Sequence, residues 1–240
     1  MTERSQRRGR QVMANKRGTA DAGRDREPGM KVLLVNGSPH AKGCTYTALE
    51  EVARALNSDG IETEVFQVGT RPVSGCLGCY VCRETGRCKI SDGVNEFLDM
   101  AESADGFVFG SPVHFAAAGG AITSFMDRVF FAGMRSRSRP FYLKPAAAVV
   151  SARRAGTTAT LDQLNKYFTI SQMPVISSRY WNMVHGFTPE DVKKDLEGLQ
   201  TMRVLGRNMA WFLKCKRAGS KAGIPFPERE EPVSTNFIRD

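Results

Sequence analysis

Lys31-Val32-Leu33-Leu34-Val35-Asn36, broken at once by Gly37-Ser38-Pro39, is the stretch that decides the fold. A short, continuous apolar run closed by turn residues is the pattern of a strand buried on both faces, as in a parallel sheet covered by helices. Working outward, Leu49, Val52, Ala53 and Leu56 recur at helical spacing over residues 45–56, and Ile61-Glu62-Thr63-Glu64-Val65-Phe66 alternates like an edge strand. Val94, Phe97, Leu98 and Ala101 mark a second helix. Gly106-Phe107-Val108-Phe109-Gly110 is a third strand, which Ser111-Pro112 is expected to end. A helix over 119–132, a strand Ala146-Ala147-Ala148-Val149-Val150, a helix near 157–171, a fifth strand at Pro174-Val175-Ile176 and a helical stretch over about 189–214 complete the series. This alternation predicts an α/β fold, a doubly wound five-stranded parallel sheet with helices on both faces. Ligands of such sheets sit beyond the carboxyl ends of the strands.

The 240 residues are enough for one sizeable core, assigned to residues 30–213. The net charge of +9 suggests nucleic acid until it is divided along the chain. Residues 1–29 carry +4, residues 214–240 carry +2, and the intervening body, more than six times longer than either tail, carries +3. Residues 1–29 are therefore expected to be a disordered basic tail and 214–240 a C-terminal tail. No aromatic residues interleave the basic ones of residues 1–29, so no nucleic-acid partner is expected. No run approaches the roughly 18 apolar residues of a membrane span, and the Arg-rich start lacks an apolar leader core, so a cytoplasmic protein without membrane contact is expected.

Three strand ends carry the chemistry. After the first strand, Ser38, Thr45 and the amides of residues 40–46 could close around a phosphate at a helix N-terminus, though an ordinary capped strand-to-helix turn reads the same way. Neither the Gly-x-Gly-x-x-Gly pattern nor the Walker lysine is present, which weighs against classical NAD binding and nucleotide hydrolysis. After the third strand, Ser111-Pro112-Val113-His114-Phe115 offers backbone groups beside an aromatic and an imidazole, against which a planar ring could lie. After the fourth, Ser151-Ala152-Arg153-Arg154-Ala155-Gly156 sets two cations and a glycine. The arginines suit a ring edge or a cofactor phosphate, or simply water.

Four of the six cysteines, Cys76, Cys79, Cys82 and Cys88, fall within thirteen residues in the segment 75–92. Spacings of three, three and six suit thiolate ligation of a metal centre, because a winding loop can point several sulfurs inward. Zinc, unligated thiols and a labile disulfide remain open readings. Cys44 and Cys215 stand apart as single thiols.

With these motifs quoted, the chain resembles the NADPH-dependent FMN reductase group of the flavodoxin-like superfamily. The string Lys31 to Thr45 carries that likeness. The cysteine spacing, Gly110 to Phe115, and the stretch from Ser151 through Gln172-Met173-Pro174 to Tyr180-Trp181-Asn182-Met183-Val184-His185-Gly186 resemble its iron-sulfur flavoprotein branch. The resemblance implies an FMN phosphate at Ser38, His40, Cys44, Thr45 and Tyr46. It places the isoalloxazine between Ser111, Pro112, Val113, His114 and Phe115 on one side and Ala152, Arg153, Arg154 and Gly156 on the other. It also implies a 4Fe-4S cluster on Cys76, Cys79, Cys82 and Cys88, with NAD(P)H or a ferredoxin-type protein as electron donor and assembly as a homodimer or homotetramer. No side-chain acid, base or nucleophile is required. Relatives often carry Arg and Asn where this chain has His40 and Cys44, which implies looser retention of FMN. The alternatives are a cluster-free NAD(P)H-dependent FMN or quinone reductase, and an FMN-binding electron carrier without turnover of its own.

Overall fold

The computed structural model describes residues 29–237, so the expectation for the N-terminal tail falls, Gly29 apart, outside the described residues. In chain order the elements are β1 (Lys31–Asn36), α1 (Cys44–Ser58), β2 (Glu62–Gln67), α2 (Cys82–Thr85), α3 (Gly93–Ser103), β3 (Gly106–His114), β4 (Ala117–Ala118), α4 (Gly120–Arg135), β5 (Ala146–Ala152), α5 (Thr157–Ile170), β6 (Met183–His185), α6 (Pro189–Lys194) and α7 (Leu196–Lys221). Five strands pair in parallel in the order β2-β1-β3-β5-β6, and the two-residue β4 folds back antiparallel onto the end of β3. The order reverses between β1 and β3, so a crevice opens beyond their carboxyl ends.

Side-chain alternation along the strands builds two cores. Leu33 and Val35 of β1 face one side, where Phe107 and Phe109 of β3 meet Phe97 of α3, Phe125 and Phe130 of α4 and Phe168 of α5. Val32 and Leu34 face the other, where Leu49, Val52 and Leu56 of α1 pack with Met202, Leu205 and Met209 of α7. Each such side chain, fully removed from water, contributes on the order of 1.5–3 kcal/mol. Among the described residues no helix is long and apolar enough to cross a membrane.

The structure departs from the sequence reading in three places. Ser111-Pro112 does not end β3, which runs on to His114. The Gly110 carbonyl accepts from the Gly37 N–H at 2.9 Å, so residue 112, two positions on, faces the same flank. There β1 has already ended, and the missing proline N–H costs no ladder bond. Pro174-Val175-Ile176 is not the fifth strand. It makes a single bridge, Val175 to Ala146, and the chain leaves the edge before returning as β6 beside Val150, Ser151 and Ala152. Pro174 has no N–H to extend the ladder, and Ser178 Oγ closes the excursion by donating to Asn182 Oδ1 at 2.6 Å. Lastly, the helical stretch at the end is two helices split at Asp195, and α7 extends to Lys221, well past residue 214. The Asp195 carboxylate caps α7 by accepting from Gly198 N–H at 2.9 Å and also accepts from His185 N–H at 2.7 Å, which ties the split to the end of β6.

Candidate functional site

The loop from Gly37 to Gly43 is shaped by amide side chains at the ends of β1 and β2. Asn36 Nδ2 donates to Gln67 Oε1 at 2.7 Å and to the carbonyls of His40 and Ala41 at 3.4 and 3.3 Å. Gln67 Nε2 donates to the Ser38 carbonyl at 2.7 Å, and Asn36 Oδ1 accepts from Ser38 N–H at 3.2 Å. The loop is thus held from beneath by two buried or half-buried amides, which leaves Pro39, His40, Ala41 and Lys42 exposed at its tip. Gly43 stands at the N-cap of α1 with no side chain to satisfy the first-turn N–H groups of Cys44, Thr45 and Tyr46.

The two hydroxyls expected to hold a phosphate are both buried and already hydrogen-bonded within the chain. Ser38 is buried, and its Oγ accepts from His40 N–H at 3.1 Å. Thr45 Oγ1 lies 2.7 Å from Ser151 Oγ, a fully buried pair that fastens the first loop to the end of β5. The half-buried Cys44 thiol donates to the Gly186 carbonyl at 3.7 Å; burial pushes its pKa up, and Asp191 and Glu190 add to that.

The second and third loops touch each other. Phe115 and Ala116 take left-handed backbone, at φ 49° and 61°, to turn the β3-β4 hairpin, and Phe115 is fully exposed. Gly156 has φ 94°, and a Cβ there would lie 2.6 Å from Ala116 Cα, so only glycine lets the hairpin rest on the start of α5. Ser111, completely buried, accepts from Gly119 N–H at 3.2 Å, and Gln163 Oε1 accepts from Ala118 N–H at 3.1 Å, which fixes the hairpin's base. His114, Arg153 and Arg154 are exposed around this junction, Pro112 and Val113 are half-buried, and Ala152 is buried in β5.

The cysteine loop leaves the same end of the sheet. Gly69, just past β2, lies so close to the first loop that a Cβ would collide with the Ser38 carbonyl. Gly69→Ala is therefore expected to push the Ser38-Pro39 turn out of place and weaken FMN binding by about tenfold, ~1.4 kcal/mol. Riboflavin, which lacks the phosphate, should change less in the same fluorescence titration.

Beyond Gly69, Cys76, Cys79, Cys82 and Cys88 line a single apolar pocket with Leu77, Tyr80, Ile90 and Phe131. Cys82 is buried at the start of α2, Cys88 is half-buried, and Cys76 and Cys79 are exposed. Burial pushes the Cys82 thiol's pKa up, and the charges of Cys88, Cys76 and Cys79 act in the same direction. Arg128 closes the pocket from α4. Its guanidinium is almost completely buried, donates to Cys88 Sγ, and is paired with Asp92 at 2.7 and 2.8 Å.

Residues 30–188 match the family of NADPH-dependent FMN reductases. The chain belongs to that family. Over 192 residues it is 34% identical to an iron-sulfur flavoprotein of Methanocaldococcus jannaschii, covering 77% of this chain and 98% of that protein. Among solved structures, an NAD(P)H:quinone oxidoreductase from Methanothermobacter marburgensis matches with a TM-score of 0.56 at 16% identity, over 76% of this chain and 96% of that one. A flavodoxin from the domain Archaea matches with a TM-score of 0.52 at 16% identity, over 77% and 99%. These structural matches establish the flavodoxin-like fold, and family membership makes the chain an FMN-dependent oxidoreductase.

The residues present fit FMN as this FMN reductase family requires. Uncapped N–H groups at the head of the 15-residue α1 suit an anion, and the hairpin and the α5 start flank the same crevice. For an iron-sulfur cluster the donor chemistry fits, four sulfurs in one apolar pocket. Among the described residues, however, no three His, Cys, Asp or Glu side chains form a group ready to hold a metal ion. Sequence reasoning placed Asn36 and Ser151 in the strand-end loops without giving them a role, and missed Gln67, Asp92 and Arg128. The signals were there: an amide closing each of two strands, and an arginine set among the apolar Phe125, Met126, Val129 and Phe130 of α4.

Proposed function

We propose that the chain carries electrons between FMN, seated across the three strand-end loops, and a 4Fe-4S cluster held by Cys76, Cys79, Cys82 and Cys88. NAD(P)H or a reduced ferredoxin-type protein is the donor. The observation that carries this reading is the meeting of four cysteines in one apolar pocket, on a loop whose first turn packs against Ser38 of the phosphate loop. FMN supplies a ring able to take a hydride or single electrons, and a cluster supplies a one-electron site. The protein's own share is binding and orientation. The first N–H groups of α1 and the amides of Ala41 and Lys42 would hold the phosphate, with Asn36 and Gln67 keeping the loop in shape. The Phe115 hairpin and the backbone of residues 153–156 would flank the ring. No described side chain is needed as a general acid or base.

Assembly as a homodimer or homotetramer belongs to the same reading. The exposed Tyr180, Trp181, Phe187 and Leu196 around β6 give apolar surface for it. A cluster-free FMN or quinone reductase is the second reading, favoured by the open arrangement of the four thiols.

The test is anaerobic mixing of the oxidised full chain with NADPH, NADH or a reduced ferredoxin-type protein, followed by flavin absorbance. At least one donor is expected to bleach the flavin within seconds. Bleaching by dithionite alone would remove the donor assignment.

A further inference from the structure

Arg128 uses every N–H of its guanidinium. Nε and Nη2 donate to Cys88 Sγ at 3.3 and 3.2 Å, and Nη1 and Nη2 donate to the two Asp92 oxygens. Nη1 also donates to the Ser74 carbonyl at 3.3 Å and Nη2 to the Ile90 carbonyl at 3.5 Å. Residues 74, 88, 90 and 92 are the two ends of the cysteine loop, so one buried cation clasps that loop shut on α4. Asp92 is itself fixed, since its Oδ1 caps α3 by accepting from Val94 N–H at 3.2 Å.

We propose that Arg128 is a positioning residue that sets the reduction potential of the iron centre ligated by Cys88, through its paired N–H donors to that sulfur. The proposal rests on the cluster reading above. Hydrogen bonds to a ligating sulfur draw charge from it and favour the more negative, reduced state, which raises the potential. Burial of the guanidinium strengthens the effect, because water does not compete for its N–H groups and the local dielectric around it is low. A guanidinium suits the place better than an ammonium, since its planar fork reaches the thiolate and the carboxylate at once. An arginine that merely braced α4 against α3 would hold the loop but leave the potential unmoved.

The experiment compares the wild-type chain with Arg128→Lys and Arg128→Gln, each purified anaerobically and reconstituted with iron and sulfide. Iron, sulfide and FMN are measured, followed by an EPR-monitored redox titration. Arg128→Lys keeps the charge beside Asp92 but loses the paired donors to Cys88. Its cluster midpoint is expected to move to lower potential, and that of Arg128→Gln further in the same direction, while the FMN midpoint stays put. If Arg128→Gln does not retain iron, Arg128→Lys alone decides. Arg128→Lys with full iron and the wild-type cluster midpoint overturns the proposal and leaves the cluster reading intact. Wild-type protein that takes up no iron or sulfide overturns both.

Discussion

Cys82→Ser is expected to strip iron and sulfide from the protein while FMN stays bound. A cubane cluster needs one ligand per iron, and Cys82 is the most buried of the four thiols, at the first residue of α2. A serine oxygen there is a harder and poorer ligand, and the neighbouring exposed thiols have no buried substitute to offer. The loops proposed to hold the flavin are carried at the ends of β1, β3 and β5 and contain no cysteine of this group, so FMN content should not fall. Iron, sulfide and flavin analysis of the anaerobically purified variant checks this. The control is Cys215→Ser, whose exposed thiol on α7 lies outside the pocket and should leave the metal unchanged.

Asp92→Asn is expected to destabilise the fold by about 3 kcal/mol, because removing one partner of a buried ion pair leaves the other charge uncompensated. Arg128 keeps only 1% of its side chain exposed and Asp92 keeps 31%, so the loss falls at the lower end of the range for buried pairs. The pair also has a pH signature. Burial by itself would raise the Asp92 carboxyl, but the hydrogen bonds from Arg128 and Val94 N–H outweigh it and hold the pKa below the ordinary 3.8. A depressed carboxyl contributes stability that is present above its unfolded pKa and lost as pH falls through the folded one. Wild-type stability should therefore drop on acidification below about pH 4, and Asp92→Asn should show a shallower acid limb in denaturant titrations.

The fold was legible where a residue's type settles its surroundings. Val32 to Val35 must be buried on both faces, and the structure places two on each side of the sheet. Proline was the less reliable guide. Pro112 reads as a strand end because it lacks an N–H, yet its position beyond the end of β1 makes that loss harmless, a fact set by the neighbouring strand's length. Pro174 misleads in the opposite sense: the apolar Val175-Ile176 beside it suggests a strand, and the true edge strand lies at Met183–His185, only three residues long.

At the site, spacing brought the four cysteines together on paper, and the fold gathers them into one pocket. The roles of Ser38 and Thr45 were harder to read. A hydroxyl in a glycine-rich turn looks free to meet a ligand, but the fold gives each a partner that spacing does not show, His40 N–H for Ser38 and Ser151 Oγ for Thr45. Arg128 and Asp92 are 36 residues apart, and no local pattern links them.

The central claim is that one chain holds both a flavin and an iron-sulfur centre able to exchange electrons. Its most direct test is an anaerobic reductive titration of the full, reconstituted chain with dithionite, counting electrons per bound FMN. Uptake of about three electron equivalents is expected, two for the flavin and one for the cluster. Uptake of about two, with the flavin fully reduced and no further absorbance change, would contradict it and leave a plain flavin reductase.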